Sequence, residues 1–217
     1  MRKGTEMNHK MLSIADQIFN ELEHDILTGV YEHNELLTEL KLSETLGVSR
    51  TPVREALGRL AQEHIVEMTS KGARVLGITE KDIEDIYAIR YRIESLAARW
   101  AAENADEQGL KELKRMLDLQ EFYTEKEDHD GINDADSGFH QALYALTKSP
   151  TMINTLGSLH RRIVKYRRVS YETPDRANAS LNEHRGICEA IAAGNGGKAE
   201  ELMRVHIEKA RISILGM

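Results

Sequence analysis

Two arginines near the start of this 217-residue sequence have a spacing that suits binding of an anion. The stretch LGVSRTPVREALGRL places Arg50 and Arg54 four residues apart, directly after Gly47 and Ser49. Residues four apart are neighbours on the surface of a helix. A guanidinium group can bind phosphate, or the O6 and N7 atoms of guanine, through two hydrogen bonds. We therefore expect this pair to contact nucleic acid, although an ordinary surface role, in solvent or paired with Glu55, is the alternative.

A second group of residues suits a metal ion. Asp136 and His140 form a D-x-x-x-H pair on one face of a predicted helix, and His184 and His206 lie on later helices beside apolar residues. Three imidazoles and one carboxylate suit zinc, and nickel, manganese or iron are also possible, whereas calcium and magnesium prefer oxygen ligands alone. Spacing alone leaves open that these are ordinary buried histidines. Cys188, four residues after His184, is more typical of a packed thiol than of a further ligand.

Arg90 interrupts an apolar stripe. It lies between Ile86 and Ile93, on the helix face that should be buried. A buried guanidinium needs an anionic partner. Glu94, one turn later, could supply it, and so could an anion bound inside the domain.

The arginine pair lies in a predicted helix-turn-helix. Apolar residues recur every four positions over 14–26, which indicates a first helix. Thr38 is placed to cap a second helix over 39–46, Gly47 to end it, and Ser49 to cap a third. The recognition helix of such a motif enters the DNA major groove with its N-terminal residues leading.

Two short strands, at about 65–68 and 74–78, follow this motif, with a tight SKG turn that has Gly72 at its tip. The sequence therefore predicts a winged helix-turn-helix over residues 11–78, preceded by ten disordered residues. Its predicted DNA contacts are Ser49, Arg50, Thr51, Arg54, Lys71 and Gly72.

From residue 79 onward the pattern is helical. Thr79 opens the first helix, and further helices are predicted at about 106–127, 132–147, 149–171, 177–193 and 197–215. The fold class is thus mainly α, with an antiparallel bundle of about six helices over residues 79–217.

Composition restricts the class of protein. The net charge is -7, and both predicted domains are acidic, so a case for DNA binding must rest on local charge. There is one cysteine, no apolar run long enough to cross a membrane and no signal-peptide pattern. These features predict a cytoplasmic protein without membrane contact.

The motifs also resemble a known family. LSETLGVSRTPVREALGRLAQEHIVE and KGARV are similar to the DNA-binding domain of GntR-family bacterial repressors. IRYRIESLAARWAA, DADSGFHQAL, NEHRGICEAIAAGN and RVHIEKA resemble the FCD effector domain of the FadR subfamily. The chain departs from the pattern at His33-Asn34, at residues 63–65 and at Leu40. Of these, only the difference at Leu40 affects the operator sequence expected, and it does not affect the expectation of DNA binding.

The resemblance implies roles for particular residues. It places metal ligands at Asp136, His140, His184 and His206, and a carboxylate effector against Arg90. It implies a homodimeric repressor that binds a palindromic operator. Two alternatives remain: a metal-dependent hydrolase fused to a DNA-binding head, with Glu183 as a possible base, and a purely structural metal. No H-E-x-x-H signature supports the hydrolase.

Overall fold

The computed structural model describes residues 12–216, which form two compact units that divide between Gly77 and Ile78. The predicted disorder of residues 1–10 lies outside the described residues. The mainly helical class, with a winged helix-turn-helix and a helical domain, is confirmed.

The first unit contains three helices and a small sheet. Its elements are α1 (Ile14–Thr28), β1 (Leu36–Leu37), α2 (Glu39–Leu46), α3 (Arg50–Gln62), β2 (Val66–Thr69) and β3 (Gly72–Val75). The three antiparallel strands lie in the order β1-β3-β2. Every helix and strand of the unit contributes buried side chains to one core, which includes Leu22, Leu42, Val53, Leu57 and Val75.

Local signals set the ends of α2 and of the turn before α3. The Thr38 hydroxyl accepts a hydrogen bond from the Lys41 backbone N–H. Gly47 ends α2 with a φ of 66°, in the left-handed region that favours glycine. Chain reversal at this glycine brings the N-terminus of α3 to the surface beside α2.

The small sheet that forms the wing of the first unit, β1 with the β2–β3 hairpin, differs from the prediction in two ways. Strand β1 was not predicted, because two residues are too few to show alternation. Gly72 also does not lie at the hairpin tip: it pairs with Thr69, so Ser70 and Lys71 form the turn. A Cβ on Gly72 would lie 2.6 Å from the Leu37 carbonyl oxygen, so a larger residue at this position would clash with the backbone of β1.

Within residues 78–216, the second unit contains seven helices. They are α4 (Glu80–Glu103), α5 (Glu107–Glu125), α6 (His129–Leu146), α7 (Pro150–Arg162), α8 (Val164–Ser170), α9 (Pro174–Ala192) and α10 (Gly196–Leu215). Their shared core includes Phe139, Leu143, Ile187, Met203 and Ile207. Among the described residues, no helix is long and apolar enough to span a bilayer.

The single helix predicted over 149–171 is two helices. The backbone leaves helical geometry at Ile163, whose side chain is fully buried. No glycine or proline adjoins this break, so no local feature of the sequence indicates it. After this break, Arg167 on α8 contacts Asp136 on α6.

Candidate metal centre and DNA-binding face

The predicted DNA contacts lie on exposed parts of the first unit. Ser49, Arg50, Thr51 and Arg54 are exposed at the N-terminus of α3, and Lys71 is exposed in the β2–β3 turn. Ser49 precedes the helix, yet its side chain makes no capping hydrogen bond. These residues therefore offer hydroxyl and cationic donors at the surface.

Arg54 has a partner that the sequence analysis missed. Its Nε and one terminal nitrogen donate to the two carboxylate oxygens of Glu39 on α2, each at 2.7 Å. The Arg54 side chain remains 69% exposed. Hydrogen bonding to Arg54 also lowers the pKa of Glu39. The pair fixes one edge of the guanidinium and leaves the group at the surface.

The structure brings the four predicted metal-site residues together inside the second unit. One ligand atom from each of His140, His184 and His206 lies within 4.8 Å of the others. The Nε2 atoms of His184 and His206 are 3.3 Å apart. Asp136 Oδ1 lies 3.8 Å from His184 Nε2 and 3.9 Å from His140 Nε2. Helices α6, α9 and α10 thus bring one carboxylate and three imidazoles to a common point, and all four residues are buried.

The outer nitrogen of each of these histidines faces an oxygen acceptor. His184 Nδ1 lies 2.7 Å from Gln120 Oε1, and His206 Nδ1 lies 2.8 Å from Glu183 Oε2. His140 Nδ1 contacts the Glu94 carboxylate. Each Nδ1–H can donate outward, which leaves the Nε2 lone pair directed at the common point. Histidines that bind a metal characteristically donate their second nitrogen in this way.

Asp136 is held from both sides by residues at and after α8. Tyr171 donates its hydroxyl to Oδ1 at 2.5 Å, and Arg167 Nε lies 2.9 Å from Oδ2. Burial works to raise the pKa of Asp136, but Arg167 and the neighbouring histidines outweigh it and hold that pKa well below the usual range. The carboxylate is therefore ionised, as a metal ligand must be.

Arg90 faces the interior, as its position in the stripe predicts, whereas Ile89 is exposed. Its Nε donates to Glu94 Oε2 at 2.8 Å, so Glu94 supplies the anionic partner. Tyr144 donates to the other Glu94 oxygen at 2.6 Å. Glu94 therefore links Arg90 directly to His140.

Several residues around this cluster were missed by sequence reasoning. They are Gln120, His160, Arg167 and Tyr171. His160 Nε2 lies 3.7 Å from Asp136 Oδ2 and contacts Arg167. Cys188 is partly buried. Among the described residues it belongs to neither of the two groups that could hold an ion, which are His140 with His184 and His206, and His140 with Glu94 and His160. Only the packing of the helices reveals Gln120, His160, Arg167 and Tyr171, because the ligand residues that they contact lie far away in sequence.

Acidification is expected to destabilise the metal-free protein. Burial is the main cause that lowers the pKa of His160, His184 and His206 below the ordinary histidine value. Between about pH 6.5 and the lowered values, the unfolded chain binds more protons than the folded one. The contribution of these neutral histidines to the free energy of unfolding is therefore fully present above about pH 6.5. It is lost as the pH falls from there toward their lowered pKa values.

Urea unfolding of chelated protein at pH 7.5, 6.5 and 5.5 measures this loss. Each histidine contributes up to about 1.4 kcal/mol per pH unit. Glu183, whose pKa is lowered to about 2, extends the loss below about pH 4.5. His24 is exposed, so His24→Gln should leave the profile unchanged. A stability that stays constant between pH 7.5 and 5.5 would contradict the burial of neutral imidazoles.

Comparisons with known proteins give a consistent result. Residues 14–75 match the model of bacterial regulatory proteins of the gntR family, and residues 85–209 match that of the FCD domain. The chain is 30% identical over 196 residues to the uncharacterized HTH-type transcriptional regulator YdhC of Bacillus subtilis, which covers 88% of this chain and 86% of YdhC.

A second relative is similar in both sequence and structure. The HTH-type transcriptional regulator McbR of Escherichia coli is 31% identical over 176 residues, covering 81% of this chain and 79% of McbR. The solved structure of E. coli McbR/YncC superposes with a TM-score of 0.81 and 27% identity, over 95% of this chain and 98% of that one. The gluconate operon transcriptional repressor of B. subtilis is 34% identical over 60% of this chain and 54% of its own length.

Proposed function

The chain belongs to the gntR family of bacterial regulators and carries an FCD domain, and from that premise we propose that a small carboxylate bound at a metal centre controls its operator affinity. It is a DNA-binding transcriptional regulator and not an enzyme. The hydrolase alternative has no support. Glu183 binds the outer nitrogen of His206, so it is already engaged as a support for that ring.

The metal is the first part of the proposal. The observation that carries it is the shared arrangement of three histidines, in which each Nδ1 faces an oxygen acceptor and each Nε2 faces Asp136 or another imidazole. Three neutral nitrogen donors and one carboxylate fit a divalent transition ion, zinc first. The residues that would hold it are Asp136, His140, His184 and His206. When bound, the ion supplies a positive centre that attracts an oxygen ligand.

The effector is the second part. Arg90 and His140 both contact the Glu94 carboxylate, one at each oxygen, so only this side chain separates them. The Tyr87 ring lies against the Arg90 guanidinium, 5.1 Å from its carbon to the ring centroid. Tyr87 also lines a groove of about 320 Å³ between α4 and α10. The charged residues of its lining are Arg92, Arg211, Glu84 and Glu208, and Arg211 is paired with Glu208. A small acid entering here reaches Arg90 after a movement of the Tyr87 side chain.

DNA binding is the third part. Ser49, Arg50, Thr51 and Arg54 contact the major groove, and Lys71 contacts the backbone beside it. Gly72 is proposed to approach DNA only with its main-chain atoms, since glycine at this position is explained by the geometry of the β2–β3 hairpin and its contact with Leu37. A homodimer of the chain reads a palindromic operator, because two-fold protein symmetry matches two-fold DNA symmetry. As a regulator of genes, the protein acts in the bacterial cytoplasm. Repression is the expected direction, as in the gluconate operon repressor it resembles.

A thermal-shift screen of small carboxylates, on metal-loaded and on chelated protein, tests the proposal. A ligand at about 100 times its dissociation constant stabilises the folded state by about 2.7 kcal/mol, which is easily seen. We expect acids that stabilise only the loaded protein and that change its operator affinity. Acids that stabilise both forms equally would place the effector on Arg90 alone and make the metal structural. The absence of any effect of metal on melting would contradict the metal centre.

A further inference from the structure

The charged side chains around the histidine cluster balance each other. Arg90, Glu94, Asp136 and Arg167 are all buried, at 4% exposure or less. They form two close pairs, Arg90 with Glu94 at 2.8 Å and Arg167 with Asp136 at 2.9 Å. Two cations and two anions sum to zero. The protein alone therefore satisfies the rule that buried charges are paired.

The histidines do not change this sum. An arginine only donates hydrogen bonds, so His160 Nε2 must accept from Arg167, and His160 is neutral. His140, His184 and His206 are neutral whenever they bind a metal through Nε2, since a ligand nitrogen carries no proton. The Nδ1–H groups of His184 and His206 can donate to Gln120 and Glu183, and His140 Nδ1 contacts the Glu94 carboxylate.

The next charged residues balance outside the cluster. Glu183 is held by Arg176, with both carboxylate oxygens 3.1 Å from one guanidinium nitrogen. Lys209 also contacts Glu183, but its side chain is 56% exposed and therefore hydrated. Among the side chains that the structure describes around the cluster, no unpaired buried negative charge remains to offset an ion at the centre.

From this balance we propose that the effector is a dianion, a small acid with two ionised oxygen groups. The inference rests on the proposed metal and effector function. A divalent ion adds two positive charges to a buried site whose own charges already cancel. A monoanion leaves one of them unpaired, whereas a dianion restores neutrality with one group at the ion and the other toward Arg90. A dicarboxylate is the simplest molecule of this class, and a phosphate monoester shares its chemistry.

Matched acids of equal shape and different charge test the proposal. Malonate, succinate and glutarate each have a monoamide, in which one carboxylate is replaced by a neutral group of nearly the same size. Calorimetric titration of each pair into the metal-loaded full chain at pH 7.5 gives the two dissociation constants. Inorganic phosphate and methyl phosphate form a separate arm, which distinguishes phosphoryl groups from carboxylates.

We expect the best diacid to bind at least about 100-fold more tightly than its own monoamide, since a buried charge left unpaired is costly. On chelated protein this preference should fall to within a few-fold, because the site is balanced without the ion. A monoamide that binds the loaded protein within about threefold of its diacid would overturn the dianion and leave the proposed function intact. If neither member of any pair binds loaded protein, and no monocarboxylate does either, the proposed effector function itself fails.

Discussion

Arg54→Ala is expected to weaken operator binding at least about 30-fold while leaving the fold intact. A guanidinium that reads a base edge contributes about 1–3 kcal/mol, and a dimer loses two of them. The Arg54 side chain is mostly exposed and lies outside the core of the first unit, so its removal leaves no cavity. The measurement is a fluorescence anisotropy titration against a duplex selected from random sequence by the wild-type protein.

Part of this loss should come from Glu39. Without Arg54, the Glu39 carboxylate is left unpaired beside the DNA phosphates, and like charges repel. The double variant Glu39→Gln/Arg54→Ala should therefore bind several-fold more tightly than Arg54→Ala alone. Such a recovery would show that the pair acts as one unit at the DNA face.

Arg59→Ala is the matched control. Arg59 lies near the other end of α3, where it pairs with Asp16 and packs over the Phe19 ring. This variant can lose some stability, but the folded protein should keep its operator affinity within a few-fold. Equal affinity of wild type and Arg54→Ala at moderate salt would show that α3 is not the recognition helix.

The first unit could be predicted in detail because its signals are local. Thr38 and Gly47 mark the ends of α2 by hydrogen bonding and by a left-handed φ, and both preferences are visible in the sequence. What escaped prediction depends on strand pairing. Strand β1 exists only because Leu36 and Leu37 pair with β3. Glycine is favoured at position 72 both by its φ of 143° and by the Leu37 carbonyl oxygen, which passes close to it.

The candidate metal centre shows the same division. Asp136 and His140 could be picked out because a helix places residues four apart on one face. Their supports could not, since Gln120 meets His184 across 64 positions and Arg167 reaches α6 only after the break at Ile163. Periodicity indicates which face of a helix is buried, but not which residues of another helix it meets. The partner of Arg54 was missed for this reason too, since Glu39 lies on a neighbouring helix.

Loss of one ligand is expected to abolish the response to metal. His184→Gln removes an imidazole that is fully buried and stacked on Phe139, with ring centroids 4.2 Å apart. The remaining ligands cannot complete the proposed set, so the variant should bind no stoichiometric ion. Metal at 1,000 times its dissociation constant stabilises a folded protein by about 4.1 kcal/mol. For wild type this corresponds to a rise in melting temperature of about 10 °C, and His184→Gln should show none.

The response to added metal separates ligation from packing. His184→Gln also loses the Gln120 contact and the stacking on Phe139, so a lower melting temperature alone would say little. We therefore compare each protein after chelation with the same protein after addition of zinc, and we measure bound metal by mass spectrometry. His24→Gln removes an exposed histidine from the first unit and should respond as wild type does. A variant at His184 that still gains about 10 °C with one bound zinc would show that the ion lies elsewhere, and the charge argument for a dianionic effector would then have no centre.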